Sequence, residues 1–260
     1  MGDLSSPRRS FSYIWLLKSL FKIIVIAKDF ASSRQPELIH HLSNKKRFMP
    51  LNRKIAIIGG TGKSGNFVVR ELILRNIPFR ILLRNAASYS HPIGELVQGD
   101  ARDPEAILKL SEGCSAIIST LGQPKGEPSI FSQATANVLA AMRVWNIKRY
   151  ILTTGLNVDT PPDNKGQVTQ TGTKWMKEHF PETTADKQRE YELLAASDAD
   201  WTLVRLPLIG LTENSEATET SLENCPGTGI HGTDLARFLL DQLNGREYIR
   251  QAPFLANISR

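Results

Sequence analysis

The sequence predicts an α/β fold, a doubly wound parallel sheet with helices on both faces. Two observations predict it. From residue 54 to about 206, short apolar runs alternate with stretches of helical periodicity, the pattern of strand–helix–strand crossovers. The first apolar run, Ile55 to Ile58, stops at Gly59 and is followed by Gly62 and Gly65, after which Phe67, Val68, Val69, Leu72 and Leu74 resume at helical spacing. A strand, a tight glycine turn and a helix start in that order place a pyrophosphate on a helix N-terminus.

The later elements follow in order. The first helix is expected to run to about Arg75, and Phe79 to Leu83 to form a second strand ending at Arg84. Glu95 to Asp100 reads as a third strand, and 104–110 as a helix capped by Asp103. Ser115 to Thr120 is a fourth strand, 131–145 a helix and Tyr150 to Gly155 a fifth strand. Residues 156–183 break the rhythm with Pro161, Pro162, Gly166 and Gly172, and are expected to be an irregular substrate lid. A helix over 186–196 and a sixth strand, Trp201 to Leu206, come next. A small C-terminal substrate section with one helix, 233–243, completes the chain.

Within the turn, Gly59 allows the sharp bend, Gly62 lets the backbone approach the phosphates and Gly65 lets the helix pack closely. Thr61, Lys63 and Ser64 share this loop. A triphosphatase loop is excluded, because the glycine it needs five residues before Gly62-Lys63 is Ile57. The end of the second strand meets the adenosine ribose, where a carboxylate favours NAD and an arginine the 2′-phosphate of NADP. Arg84 stands there, with Lys63 as a second positive charge, so the expected cofactor is NADP(H).

Charge is uneven along the chain. Residues 1–48 hold nine Lys or Arg against three Asp or Glu, whereas the remainder holds 23 of each. The body therefore offers no electrostatic case for nucleic acid. Cys114 and Cys225 lack metal-type spacing and read as thiols of a reducing compartment, with no metal site expected. In the basic leader, Phe11 to Ala27 is apolar but interrupted by Lys18 and Lys22, a poor membrane span. Met49 is expected to be the natural start of a cytoplasmic protein whose domain covers 49–260. The alternative is an amphipathic helix over 11–28, lying peripherally on an anionic membrane surface.

From Lys54 to about Leu243 the chain resembles the atypical short-chain dehydrogenases/reductases with NAD(P)H-binding, NmrA-like domains, and within them the flavin reductase/biliverdin reductase B branch. The matching pieces are the loop 59–65, Gly99-Asp100-Ala101, Thr120-Leu121-Gly122, Thr153-Thr154, Asp186-Lys187, Asp200 to Pro207 and Thr233-Asp234-Leu235-Ala236. The resemblance implies a Rossmann-like domain in which Asp100 and Ala101 flank the adenine. It places Thr120, Leu121 and Gly122 beside the ribose and nicotinamide, and Pro207, Leu208 and Ile209 around the nicotinamide pocket; Thr153 joins the cofactor set.

Ordinary members of that group use a Tyr-x-x-x-Lys pair and a serine ending the fifth strand, the lysine lowering the tyrosine pKa so that it can protonate the substrate oxygen. Here Tyr191 is followed four residues later by Ala195, Tyr150 by Thr154, and Gly155 replaces the serine. Thr154 is the nearest hydroxyl, and Lys187 can reach the nicotinamide ribose. An enzyme so equipped is expected to pass hydride from NADPH to a flavin, quinone or similar planar acceptor, solvent supplying the proton. The alternative is an NADP(H)-binding redox sensor that turns nothing over.

Overall fold

The computed structural model describes residues 54–258 apart from 86–88, 90 and 92. The chain divides into two units, Met1–Lys46 and Arg47–Arg260, and every described residue belongs to the second. The leader, the alternative of an amphipathic helix over 11–28 and the expected start at Met49 lie outside the described residues.

Sixteen elements are described. They are β1 (Lys54–Ile58), α1 (Gly65–Leu74), β2 (Phe79–Leu83), β3 (Glu95–Gln98), α2 (Pro104–Ser111), β4 (Cys114–Ser119), α3 (Phe131–Val144) and β5 (Arg149–Gly155). Then come α4 (Gln167–His179), α5 (Pro181–Ala196), β6 (Asp200–Leu206), β7 (Leu208–Gly210), β8 (Thr218–Ser221), β9 (Gly229–His231), α6 (Gly232–Asp241) and β10 (Phe254–Asn257). The main sheet has eight strands in the order β3-β2-β1-β4-β5-β6-β10-β8, with β7 and β9 paired separately. All neighbours in it are parallel except β10 and β8. Strand order reverses between β1 and β4, so the glycine turn after β1 sits at the switch point where such sheets bind ligands.

Alternate residues of each strand feed two cores. Ala56 and Ile58 of β1 join Ile107 of α2, Val138 of α3 and Leu194 of α5 on one face. Ile55 and Ile57 join Val68 and Leu72 of α1 and Leu235 and Leu239 of α6 on the other. Two helices that feed strands end alike. Asn76 and Asn146 adopt φ of 52° and 53°, and the following Ile77 and Ile147 donate to Leu72 O and Met142 O at 2.9 Å. This is the closure that lets a helix stop abruptly with asparagine in the left-handed region. Asp103 caps α2 by accepting from Glu105 N at 3.0 Å, as its sequence position predicts.

Three expectations need correction. Half of the segment expected to be irregular, 156–183, is the helix α4, and α5 begins at Pro181 rather than at 186. The helical signal was hidden because the residues α4 buries are Thr169 and Thr173, polar side chains at helical spacing. The C-terminal residues are not only a small appended section, because β10 and β8 extend the main sheet beyond β6. Among the described residues no helix is long and apolar enough to cross a membrane.

Candidate cofactor site

The loop after β1 is built by its glycines. Gly59 has φ +77°, and Gly62 N donates to Gly59 O at 2.9 Å to close the turn. A Cβ on Gly65 would lie 2.1 Å from Gly59 O and 2.8 Å from Gly60 Cα, so only hydrogen fits where helix and turn touch. A Cβ on Gly62 would meet nothing nearer than Gly59 O at 3.1 Å, leaving its backbone bare on the exposed side. This is a cradle that admits a pyrophosphate against main-chain N–H groups. Lys63 is exposed, Thr61 half-buried, and Ser64 stands at the cap position before α1 without a side-chain capping bond, so its hydroxyl is not committed to the helix. Sequence reasoning missed Gly60, whose Cβ would strike Ile81 Cδ1 at 2.5 Å.

Parallel register brings the remaining residues to the same edge. Ile58 pairs Ser119, Ser119 pairs Leu152, and Gly155 pairs Leu206, so the segments starting at Gly59, Thr120 and Pro207 and the end of β5 lie along one rim. Thr120 is buried and its hydroxyl donates to Gly59 O at 3.3 Å, tying the two halves of the crevice together. Leu121 leans on the core, and Gly122 faces open space. Asp100 holds a turn, accepting from Arg102 N at 2.8 Å, while the Ala101 side chain is packed in the core. On the far side Leu208 is 84% exposed, and Pro207 and Ile209 are half-buried.

At the end of β5, Thr153 is half-buried and Thr154 buried. Lys187 Nζ on α5 donates to Thr154 Oγ1 at 3.3 Å and lies 3.9 Å from the centre of the Phe131 ring. The structure thus brings together the two candidate catalytic residues. Burial pushes the Lys187 ammonium below its usual range, against the pull of Glu190 and Asp186. The tyrosines stand elsewhere: Tyr150 is buried with its hydroxyl 3.2 Å from Thr135 Oγ1, and Tyr191 packs edge-on against Trp201. Four residues before Lys187 stands Thr183, where a tyrosine would complete the reductase pair. Gly155 cannot be serine without rearrangement, since its Cβ would lie 2.5 Å from the buried Oδ1 of Asn157.

Asp186 and Glu190 were not singled out as acids by the sequence. Asp186 accepts from Ser129 Oγ at 2.7 Å, Phe131 N at 2.8 Å and the Ser132 hydroxyl, so it caps α3 from α5. Burial alone would raise its carboxyl, but these bonds outweigh that and hold it below the usual range. Glu190 lies one turn further into the core, where Oε1 accepts from Thr135 Oγ1 at 2.8 Å and Oε2 has no partner. Burial pushes its carboxyl up to about 7, with Lys187 opposing. Because the folded chain then holds this proton more tightly than the unfolded one, the contribution is complete below about pH 4.5 and disappears as pH rises through about 7. Glu190→Gln is therefore expected to gain about 1–3 kcal/mol relative to the native protein between pH 5 and pH 8. Urea denaturation at both values measures this, and a difference independent of pH would refute it.

The segment 156–165 beside Thr154 is anchored from beneath. Lys165 Nζ donates to Leu156 O at 2.9 Å and to Asp159 at 2.6 Å, and Thr173 donates to Leu156 O at 3.0 Å. Further along, Trp175 and His179 stack at 4.7 Å and Trp175 is half exposed, placing an aromatic surface on α4. Both cysteines are buried free thiols, and burial pushes Cys114 up to about 11. Among the described residues no group of three or more His, Cys, Asp or Glu is placed to hold a metal ion.

A family model for NAD(P)H binding matches residues 59–246. The chain belongs to the NAD(P)H-binding family. This agrees with its resemblance to the atypical short-chain dehydrogenases/reductases. It is 28% identical over 133 residues to an NAD(P)H azoreductase of Xenophilus azovorans, 46% of this chain and 45% of that protein. It is 26% identical over 170 residues to the photosystem II assembly factor Ycf39 of Trieres chinensis, 62% of this chain and 53% of that one. The chain thus matches only about half the length of either relative. Among solved structures, ChuY, an anaerobilin reductase from Escherichia coli O157:H7, superposes with a TM-score of 0.66 at 17% identity, covering 80% of this chain and 98% of that one. A short-chain dehydrogenase/reductase of Veillonella parvula in complex with NADP gives 0.63 at 13% identity, covering 79% and 94%. At these identities the two structures show the fold, a Rossmann-like α/β sheet.

Proposed function

We propose that this family member is an NADPH-dependent reductase of planar acceptors such as flavins, quinones or related dyes and pigments. The observation that carries the reading is Lys187 held at Thr154 on the sheet edge with both nearby tyrosines packed away. The cofactor, when bound, supplies the hydride. The glycine cradle of 59–65 holds its pyrophosphate, Thr120 to Gly122 and Thr153 border the ribose, and Pro207 to Ile209 flank the nicotinamide. Lys187 and Thr154 orient the nicotinamide ribose through their hydrogen-bonding groups. Neither Tyr150 nor Tyr191 is placed to hand over a proton, which suits acceptors whose reduced form takes its proton from water. The azoreductase and anaerobilin reductase among the similar proteins act, by their names, on extended conjugated molecules, and they support this substrate class. Free buried thiols fit a reducing, cytoplasmic setting.

Steady NADPH oxidation in the presence of riboflavin phosphate, a quinone or an azo dye tests the activity. The withdrawn tyrosines equally suit a redox sensor that binds NADPH without turnover; tight binding with no oxidation across that panel would favour it. The choice of NADP over NAD rests on Arg84 at the end of β2, with its side chain 58% exposed. Arg84→Glu is expected to weaken NADPH binding about 30-fold, the worth of one charge-assisted hydrogen bond, and to leave NADH binding near native. Fluorescence titration with both cofactors reads this, and an unchanged NADPH affinity would refute the role of Arg84.

A further inference from the structure

Arg84 is not alone at the adenosine end. Its Nη1 donates to Glu127 Oε1 at 2.7 Å, and the other oxygen of the same carboxylate accepts from Arg102 Nη1 at 2.9 Å. Three separate strand ends contribute: Arg84 follows β2, Arg102 follows β3 and Glu127 lies in the loop after β4. Arg102 is held by more than the Glu127 carboxylate, because it also donates to Asp100 Oδ2 and to Pro128 O, each at 3.3 Å. The loop bearing Glu127 closes on itself, with Gln123 Nε2 donating to Glu127 O at 2.8 Å and to Pro124 O at 3.1 Å. One carboxylate is thus carried across the crevice to bridge two guanidinium groups beside the position expected for the adenosine ribose.

We infer that Glu127 is an internal stand-in for the 2′-phosphate of NADP(H), that the phosphate displaces it, and that Arg102 is the second arginine of a two-arginine phosphate clamp. The inference rests on the NADP(H) reading of Arg84. A 2′-phosphate carries up to twice the charge of the carboxylate and three acceptor oxygens, so it satisfies both arginines better than Glu127 can. Hydrogen bonds from Arg84 and Arg102 hold the Glu127 carboxyl below the usual carboxylate range, so it is an anion wherever the cofactor is tested. Its side chain is 37% exposed, so release into water gives up only a solvent-screened pair. Glu127 therefore lowers the preference for NADPH without abolishing it. With a 2′-hydroxyl in place of the phosphate, the carboxylate stays on its arginines and NADH gains nothing from the clamp.

The full chain is titrated with NADPH, NADH and 2′,5′-ADP, comparing the native protein with Glu127→Gln, Arg102→Met and Arg84→Met. Glu127→Gln is expected to bind NADPH and 2′,5′-ADP about twofold to fivefold more tightly, the scale of a screened surface pair, with NADH unchanged. Arg102→Met is expected to weaken both phosphorylated ligands about tenfold or more, again sparing NADH, which also reports that the site is intact. Weaker or unchanged NADPH binding in Glu127→Gln, or native NADPH binding in Arg102→Met, overturns the inference. If Arg84→Met weakens NADPH while the other two leave it unchanged, the stand-in and the second arginine both fail and the NADP(H) reading of Arg84 stands. If Arg84→Met also leaves NADPH unchanged, the NADP(H) reading itself fails.

Discussion

Gly65→Ala is expected to reduce NAD(P)H affinity by about 100-fold or more, because the cradle cannot close around the added methyl. The new carbon would sit 2.1 Å from Gly59 O and 2.8 Å from both Gly60 Cα and Thr120 Oγ1. Two of these neighbours are backbone, so no side-chain rotation relieves the overlap. Gly59 O also accepts from Gly62 N at 2.9 Å, and Thr120 donates to the same oxygen. Pushing it aside opens the turn and detaches the β4 end in one movement. The N-terminal N–H groups of α1 then no longer point at one phosphate-sized space. Fluorescence titration with NADPH measures the loss, and far-UV circular dichroism reports whether the fold survives. A folded variant with near-native affinity would show that this loop is not the cofactor cradle.

The largest stability effect is expected at Arg205, which lies on β6 and is fully buried. Its guanidinium donates to Ala252 O at 2.8 Å, Leu222 O at 2.9 Å and Asp163 Oδ1, and it lies 3.6 Å from the centre of the Phe254 ring. One side chain thereby fastens the 156–165 segment, the turn after β8 and the strand β10 to the sheet. Arg205→Met retains much of the stem packing but removes the guanidinium partner of Asp163, which keeps Thr160 and Lys165, and the donor to the Ala252 and Leu222 carbonyls. Removing one partner of a buried pair costs about 3–5 kcal/mol. For a unit of this size that corresponds to a fall in Tm of about 6–20 °C. Asp163→Asn keeps an acceptor for Arg205 and retains the packing, so a smaller fall is expected there. Thermal unfolding of both variants checks the order, and a loss under 1 kcal/mol for Arg205→Met would remove the anchoring role.

These effects fall on residues that were unequally visible beforehand. Gly59, Gly62 and Gly65 could be read directly, because a strand, a turn and a helix within a dozen residues leave a local pattern in backbone requirements. The first six strands and Asp103 as a cap were legible for the same reason: each depends on neighbours in the chain. Lys187 was found through its position on a helix, but its approach to Thr154 depends on α5 crossing β5 at one register. Arg205 read only as part of a recognisable strand; its anchoring role comes from segments after β8 and before β10 that no local pattern connects to it. The helix α4 was missed because its buried face is threonine, and β10 because a four-residue strand is defined by its partners.

By itself the sequence determined the alternating α/β order, the glycine turn, the arginine that follows β2 and the lack of a Tyr-x-x-x-Lys pair. All of these are set by residue type and short spacing, which are written along the chain. Only the tertiary structure decided that Glu127 bridges Arg84 and Arg102, that Glu190 is a buried acid beneath Lys187 and that Gly155 makes room for Asn157. Each of these joins residues from different strand ends or packed helices. Their chemistry comes from distance and burial, which arise when the sheet assembles and which no run of neighbouring residues encodes.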